Sequence, residues 1–368
     1  MEIGSDFELP VSHLWGRKLG NALIKNDGSL YYLTSSGRAS IKLILNEYIK
    51  SGEGDEALLP AFLFQNLLTP FKNNNIKITF YRLNKDLSLD VDDIKAKINK
   101  HTKILYIIHY FGFPQPVQKL NWLKDNYPSC SIIEDLAQAL GTSSLDKTIG
   151  SFGDFNFTVC MKYLPVPDGS ILTINKHFDI INWKKEQVDH VLYVNSRYIA
   201  MNLKYLYSKT HLVPKPLYRT IFQFASNFQE KHLIYSNMSL LTQCLLEKFN
   251  YEQIFERRIQ NYKYLLKRWN SSILLPLFGD ISEKVCPLGF LVLANDRDIM
   301  VRELGKKGIY CPVHWRPGIK GEVFSHEITE AEFPLSRELA NKIMMIPIDQ
   351  RYGTKEMEYI LKQVDNLV

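Results

Sequence analysis

The stretch from Ile132 to Ser170 decides how this chain is read. It opens as IIEDLAQALG (Ile132–Gly141), crosses a polar gap, and resumes as IGSFGDFNFTVCMKYLPVPDGS (Ile149–Ser170). Asp135 ends a short apolar run, and Gln138 follows it by three residues. Lys162 is the only charge between Asp154 and Asp168, set between an aromatic run and a Pro/Gly turn. An apolar run ending in an acid is the pattern of a buried strand whose last residue reaches a surface crevice.

Outward from this stretch, strand and helix patterns alternate. Arg38 to Lys50 carries apolar residues at helical spacing (Ile41, Leu43, Ile44, Tyr48). Ala57–Leu59 is a short buried strand stopped by Pro60, and Phe62–Phe71 reads as a helix. Ile76–Arg82 is a strand, Leu89–Ile98 a helix, Lys103–His109 a strand, Val117–Asn126 a helix and Ser131–Glu134 a strand. Phe155–Cys160 and Ser170–Ile174 add two more. Such alternation with short turns predicts a mostly parallel sheet flanked by helices, an α/β fold. His177–Phe249 reads as mostly helical and basic. Glu252–Trp269 (EQIFERRIQNYKYLLKRW) is a long amphipathic helix. Strands at Gly289–Leu293 and Tyr310–Trp315, the latter followed by a loop, with helices at Asp296–Lys306 and Thr354–Leu367, make a smaller α+β domain. The expected division is 1–250 for the large domain and 251–368 for the small one.

Composition narrows the class. The chain has 368 residues, 45% hydrophobic and 23% charged, with a net charge of +6, which is ordinary for a globular enzyme-sized protein. No apolar run approaches the roughly 18 residues that span a bilayer, and MEIGSDFELP lacks the apolar core of a signal peptide. These features predict a cytoplasmic protein with no membrane partner. The most basic segment, Lys204–Arg219, reads as a solvated face rather than a nucleic-acid site. Five widely spaced cysteines form no CxxC pair, which predicts free buried thiols and no metal site.

Each candidate residue has a chemical reading and a plainer one. An amine such as that of Lys162 joins an aldehyde cofactor when burial lowers its pKa; taken alone, a lysine near a strand end is a surface residue. A carboxylate such as Asp135 keeps a pyridine nitrogen protonated, which turns the ring into an electron sink; it is also an ordinary helix N-cap before LAQAL. Gln138 can donate to the oxygen on the same ring. Ser35, Ser36 and Gly37 precede a helix, where free N–H groups favour phosphate, with Arg38 as a charge partner. Phe64 can stack on a flat ring, and His314 with Trp315 can face a substrate; both types are more often structural. An acid and an amine placed this way are what a pyridoxal phosphate enzyme needs.

These pieces follow one another as SSGRASI (Ser35–Ile41), LLPAFLF (Leu58–Phe64), IIHYFG (Ile107–Gly112), IEDLAQALG (Ile133–Gly141), IGSFGDF (Ile149–Phe155) and MKYLPVPDGS (Met161–Ser170). ERRIQNYKYLL, GIYCPVHW and MMIPIDQRY continue them. In this order the chain resembles the DegT/StrS-type sugar aminotransferases, fold type I pyridoxal phosphate enzymes, as a divergent member. The resemblance implies a fold type I aminotransferase-like sheet with a smaller C-terminal domain. It implies Lys162 as the catalytic lysine that binds the cofactor aldehyde and shuttles a proton, Asp135 as the partner of the ring nitrogen, and Gln138 at the ring oxygen. Gly37 and Arg38 match the phosphate-binding helix start, Phe64 the stacking aromatic, and His314 a loop near the sugar. The implied substrates are a nucleotide-linked keto-sugar and an amino donor, glutamate, in a homodimer with shared sites.

The chain departs from that pattern in places. The serine expected five residues before the lysine is Phe157, and Thr158 is the nearest candidate to replace it as a phosphate ligand. YSNMS (Tyr235–Ser239) is a degenerate form of another family segment, with Asn237 as the residue that would reach the partner's phosphate. Asn175–Ser236 matches nothing. Two other readings follow: a sugar dehydratase on the same scaffold, which would lack Lys162, and a non-catalytic binding or regulatory protein that keeps the fold.

Overall fold

Two of the sheet strands are buried along their whole length, which requires cover on both faces. The computed structural model describes residues 2–19, 23, 30–146, 148–175, 178–183, 187–315 and 328–367. The central sheet has seven strands: β1 (Leu30–Thr34), β2 (Glu56–Pro60), β3 (Lys77–Tyr81), β4 (Thr102–Ile108), β5 (Ser131–Leu136), β6 (Phe155–Val159) and β7 (Ser170–Ile174). Their order across the sheet is β1-β7-β6-β5-β4-β2-β3. β7 runs antiparallel to both neighbours, and every other pairing is parallel. β2 and β6 bury every residue, and β4 exposes only Lys103. Near-continuous apolar strands of this kind belong to a sheet covered on both sides. The expected α/β fold with a mostly parallel central sheet is therefore present.

Register fixes which side chains share a face. Ile108 pairs with Asp135, and Asp135 with Phe157. These three residues lie side by side in the carboxyl-terminal halves of adjacent strands and point to the same side. Their chain neighbours Leu136 and Thr158, also paired, point to the other.

Several boundaries differ from expectation for local reasons. Phe62–Phe71 is not one helix: Gln65–Leu68 is a 3-10 turn and Thr69–Asn73 a short helix. Pro70 sits in that helix's first turn, where its missing N–H is tolerated, and its ring bars an α-helix running through from upstream. The predicted strand Tyr310–Trp315 reduces to Ile309–Tyr310, paired with Ile3–Gly4. Pro312 has no N–H for a ladder; its carbonyl instead accepts from the Met345 N–H at 2.9 Å. The loop expected after Trp315 lies outside the described residues up to 327. Helix Pro334–Lys342, which buries Ser336, Leu339 and Ala340 on one face, and strand Ile343–Ile346 were not expected. That strand lies in a three-stranded antiparallel sheet with Phe290–Leu293 at its centre and Leu275–Pro276 beyond. A continuous IMMI run has no alternation to read. Of the cysteines, Cys130, Cys160, Cys286 and Cys311 are buried and free, while Cys244 is free and exposed. No helix among the described residues is long and apolar enough to cross a membrane.

The stretch that matched nothing folds as a helical hairpin, Val188–Thr210 and Lys215–His232, whose helices pack along each other. It is tied to the loop after Lys162 through Asp168, which is fully buried. The Asp168 carboxylate accepts from the Ser239 N–H at 2.9 Å, from Ser239 Oγ at 2.6 Å and from Thr242 Oγ1. His190 Nε2 of the hairpin lies 2.9 Å from it. Asp168→Ala leaves these donors buried without an acceptor. We expect urea unfolding to report a loss of about 3 kcal/mol or more, with Asp168→Asn losing less; a loss below about 1 kcal/mol would contradict the anchoring role.

Candidate active site

A cavity of about 170 Å³ opens at the carboxyl ends of β4, β5 and β6, and Ile108, Asp135 and Phe157 form its floor. A cavity of roughly 150 Å³ is known to hold benzene, so this one has room for one flat six-membered ring. Gly37, Arg38, Phe64, Gln138, Lys162, Gln229 and Trp315 complete most of its wall.

Asp135 is buried. Its Oδ2 accepts from the Tyr106 hydroxyl at 2.7 Å and its Oδ1 from the Ala137 N–H at 2.7 Å. Burial pushes its carboxyl above the ordinary carboxylate range, while Tyr106, Ala137 and the nearby Lys162 pull it back. Lys162 sits in the 3-10 turn after β6. Its ammonium makes no hydrogen bond among the described residues; burial lowers its pKa and Asp135 opposes that. Asp135 and Lys162 are thus an acid and an amine within electrostatic reach, neither closed into a salt bridge.

Gln138 adds a directed donor. Its Oε1 accepts from the Phe111 N–H at 2.9 Å, which fixes the amide's orientation. Its Nε2 is buried and has no partner. His314 lies above: its Nε2 is likewise buried and unpartnered, and its ring meets the Phe111 ring edge-on at 5.0 Å. Burial, then the positive Lys162, pull its pKa down to about 3, so the imidazole is neutral at physiological pH. Trp315 beside it takes a left-handed backbone (φ 59°) and packs edge-on against Phe62 at 4.7 Å. Phe64 is 39% exposed and lines the cavity without being buried in the core.

The turn that carries Lys162 is clamped from the C-terminal side. The Tyr163 hydroxyl donates to the carbonyls of Gln138 at 2.8 Å and Cys286 at 3.0 Å. Gln350 Nε2 donates to the Tyr163 carbonyl at 2.8 Å, and Arg258 stacks over the Tyr163 ring at 4.6 Å.

Of the residues expected from sequence, Asp135, Gln138, Lys162, Gly37, Arg38 and Phe64 line this cavity, while His314 is not in its lining but is close enough for Lys162 to act on it electrostatically. Two are not brought in. Thr158 points to the opposite face of the sheet and lines a separate cavity with Leu136, Asn156 and Thr173. The period of two that places Phe157 at the site excludes its neighbour, so Thr158 cannot replace the missing serine. Asn237 bridges to Thr34 beside β1, outside the cavity wall. Sequence reasoning missed Tyr106, which lies two residues before Ile108 on the same strand face and was legible from that spacing. It also missed Gln229, for which there was no signal.

The sign of the His314 shift gives a prediction. Its folded pKa lies below the ordinary 6.5, so the folded state binds fewer protons. Its contribution to stability is present above about pH 6.5 and is lost as pH falls toward 3. His314→Phe should flatten the fall in urea midpoint between those limits; an unchanged pH profile would contradict a buried neutral imidazole.

Comparison with known proteins gives the following. The model of the DegT/DnrJ/EryC1/StrS aminotransferase family matches residues 28–173. GDP-perosamine synthase of Vibrio cholerae is 31% identical over 121 residues, 33% of this chain and 32% of that protein. dTDP-3-amino-3,6-dideoxy-alpha-D-galactopyranose transaminase of Aneurinibacillus thermoaerophilus is 22% identical over 90% of this chain and 84% of that protein. Among solved structures, NtdA from Bacillus subtilis, with bound cofactor PMP, superposes with a TM-score of 0.64. It is 13% identical, and the match covers 96% of this chain and 74% of that one.

Proposed function

We infer the activity from one premise: the chain is a divergent member of the DegT/DnrJ/EryC1/StrS aminotransferase family. We propose that it is a pyridoxal phosphate-dependent aminotransferase that moves an amino group from glutamate to a keto-sugar carried on a nucleotide. The relatives whose names include GDP- and dTDP-sugars support the substrate class. The observation that carries the reading is the meeting, in one ring-sized cavity, of an unpaired lysine amine, a buried carboxylate and an orphaned amide donor.

These groups fit the cofactor. Asp135 would face the ring nitrogen, Gln138 Nε2 the ring oxygen, and Lys162 the aldehyde. Pyridoxal phosphate, when bound, supplies that aldehyde and an electron-withdrawing ring. The protein's own residues do the rest. The two hydrogen bonds that Asp135 accepts, and any cation placed beside it, favour its ionised form against the burial that raises its pKa. Lys162 Nζ, its pKa lowered by burial, would be the base that takes the proton from the carbon of the amino donor and holds it. His314 offers the substrate a neutral imidazole with a free Nε2. Phe64 and Trp315 exclude water from the rim.

The same proposal includes cofactor binding by residues 1–250 with 251–368 as the smaller domain, a cytoplasmic location and a homodimer with shared sites. Asn237, which lies outside its own cavity, is the residue offered across the interface.

The test is the visible spectrum. Wild type mixed with pyridoxal phosphate should turn yellow, and glutamate should discharge the colour. Lys162→Ala should develop no lysine-bound band. A wild type that stays colourless would overturn the enzymatic reading and favour a binding protein on the same fold.

A further inference from the structure

The phosphate end of the cavity lacks its expected hydroxyl. Phe157 occupies that position, and its ring packs so closely on Gly37 that a Cβ there would come within 2.8 Å of Phe157 Cε2. Thr158 faces away. Ser36, whose Oγ accepts from the Ala39 N–H, and the helix start at Gly37 remain as neutral donors at this end, but neither brings a charge to match a phosphate dianion, which is costly to bury unmatched.

Two side chains on the same wall are free to meet an anion. Arg38 lines the cavity beside Gly37 and makes no hydrogen bond or ion pair with any described residue. Glu230, the nearest acid acting on it, is exposed and outside ion-pair distance. Gln229, from the second helix of the hairpin, lines the cavity and is also without a hydrogen bond among the described residues. Tyr193 and Tyr235, 1% and 6% exposed, are close enough to act on the guanidinium, and Arg197 and Lys42 lie over their rings. A half-buried cation in no ion pair among the described residues, with Lys42 and Arg197 beyond the two tyrosines, suits an anion with several acceptor oxygens. The planar fork of Arg binds phosphate with directed, charge-assisted bonds.

The hairpin that brings Gln229, Tyr193 and Glu230 to this end is held by His190 on Asp168 and by Gln187 Oε1, which accepts from the Tyr235 N–H at 2.9 Å. It is therefore fixed to the Lys162 loop rather than hung beside it. We propose that Arg38 and Gln229 form the subsite for the cofactor's 5′-phosphate in this chain, replacing the hydroxyl lost at Phe157 and making the 188–232 hairpin part of the cofactor site. This rests on the pyridoxal phosphate reading above.

The test compares dissociation constants for pyridoxal 5′-phosphate and for pyridoxal, which lacks the phosphate, by absorbance titration of the apoprotein. Arg38→Met should weaken pyridoxal phosphate about 100-fold and Gln229→Ala about 10-fold, on the scale of hydrogen bonds to charged groups. Pyridoxal binding should stay within about 2-fold in both, since the lost contacts lie at the phosphate alone. Phe157→Ser placed in the Arg38→Met background should recover part of the loss, and Thr158→Val should change nothing. If Arg38→Met does not fold, Arg38→Lys and Gln229→Ala carry the same comparison. Unchanged discrimination between the two ligands in variants that still bind pyridoxal phosphate would overturn the subsite and leave the cofactor reading standing. Failure of wild type to bind either ligand would overturn both.

Discussion

Everything at this site depends on one buried carboxyl group. Asp135 is held at the end of a central strand with two hydrogen bonds and no ion pair. Taking a carboxylate out of water costs several kcal/mol unless it is matched, and a tyrosine hydroxyl with one backbone N–H is a partial match. The protein meets the cost with geometry. Parallel register sets Ile108, Asp135 and Phe157 in one row, and the Lys162 turn follows directly from the strand beside it. Burial works against the charge of both Lys162 and Asp135, and each favours the charged form of the other within a cavity of ring size. A ligand with a cationic nitrogen completes what the protein leaves open.

That constraint explains why rigid supports surround a site whose own groups are loosely bonded. Tyr163 is pinned by two carbonyls and by Gln350, Asp168 by three donors and a histidine, and Gln138 by a backbone N–H. None of these bonds uses the atoms that face the cavity. Lys162 Nζ, Gln138 Nε2 and His314 Nε2 remain without hydrogen-bond partners among the described residues. Their directions are fixed and their valences are free, which is the condition for binding a ligand without first breaking internal contacts.

How much of this the sequence carried depends on range. Asp135, Gln138 and Lys162 were legible because each sits where an apolar strand pattern ends, and strand ends in parallel sheets face ligands. Most sheet strands were legible for the same reason. Thr158 was misassigned because adjacency in sequence was allowed to stand for adjacency in space, and a strand's period of two reverses that. Strand Ile343–Ile346 was missed because a fully buried apolar run has no alternation, and helix Pro334–Lys342 because its nine residues carry only two large apolar side chains, Leu335 and Leu339. Gln229 was unreadable: its place follows from the docking of a hairpin through Asp168 and His190, a contact 22 residues apart in sequence that no local pattern encodes.

The central claim is that Lys162 is the amine that meets an aldehyde beside Asp135. Peptide mapping by mass spectrometry, after incubation with pyridoxal phosphate and reduction with borohydride, tests it most directly. The account predicts a reduced pyridoxyl phosphate adduct on the peptide containing Lys162 and on no other at stoichiometric ligand. An adduct spread over exposed lysines, with Lys162 unmodified, would contradict it.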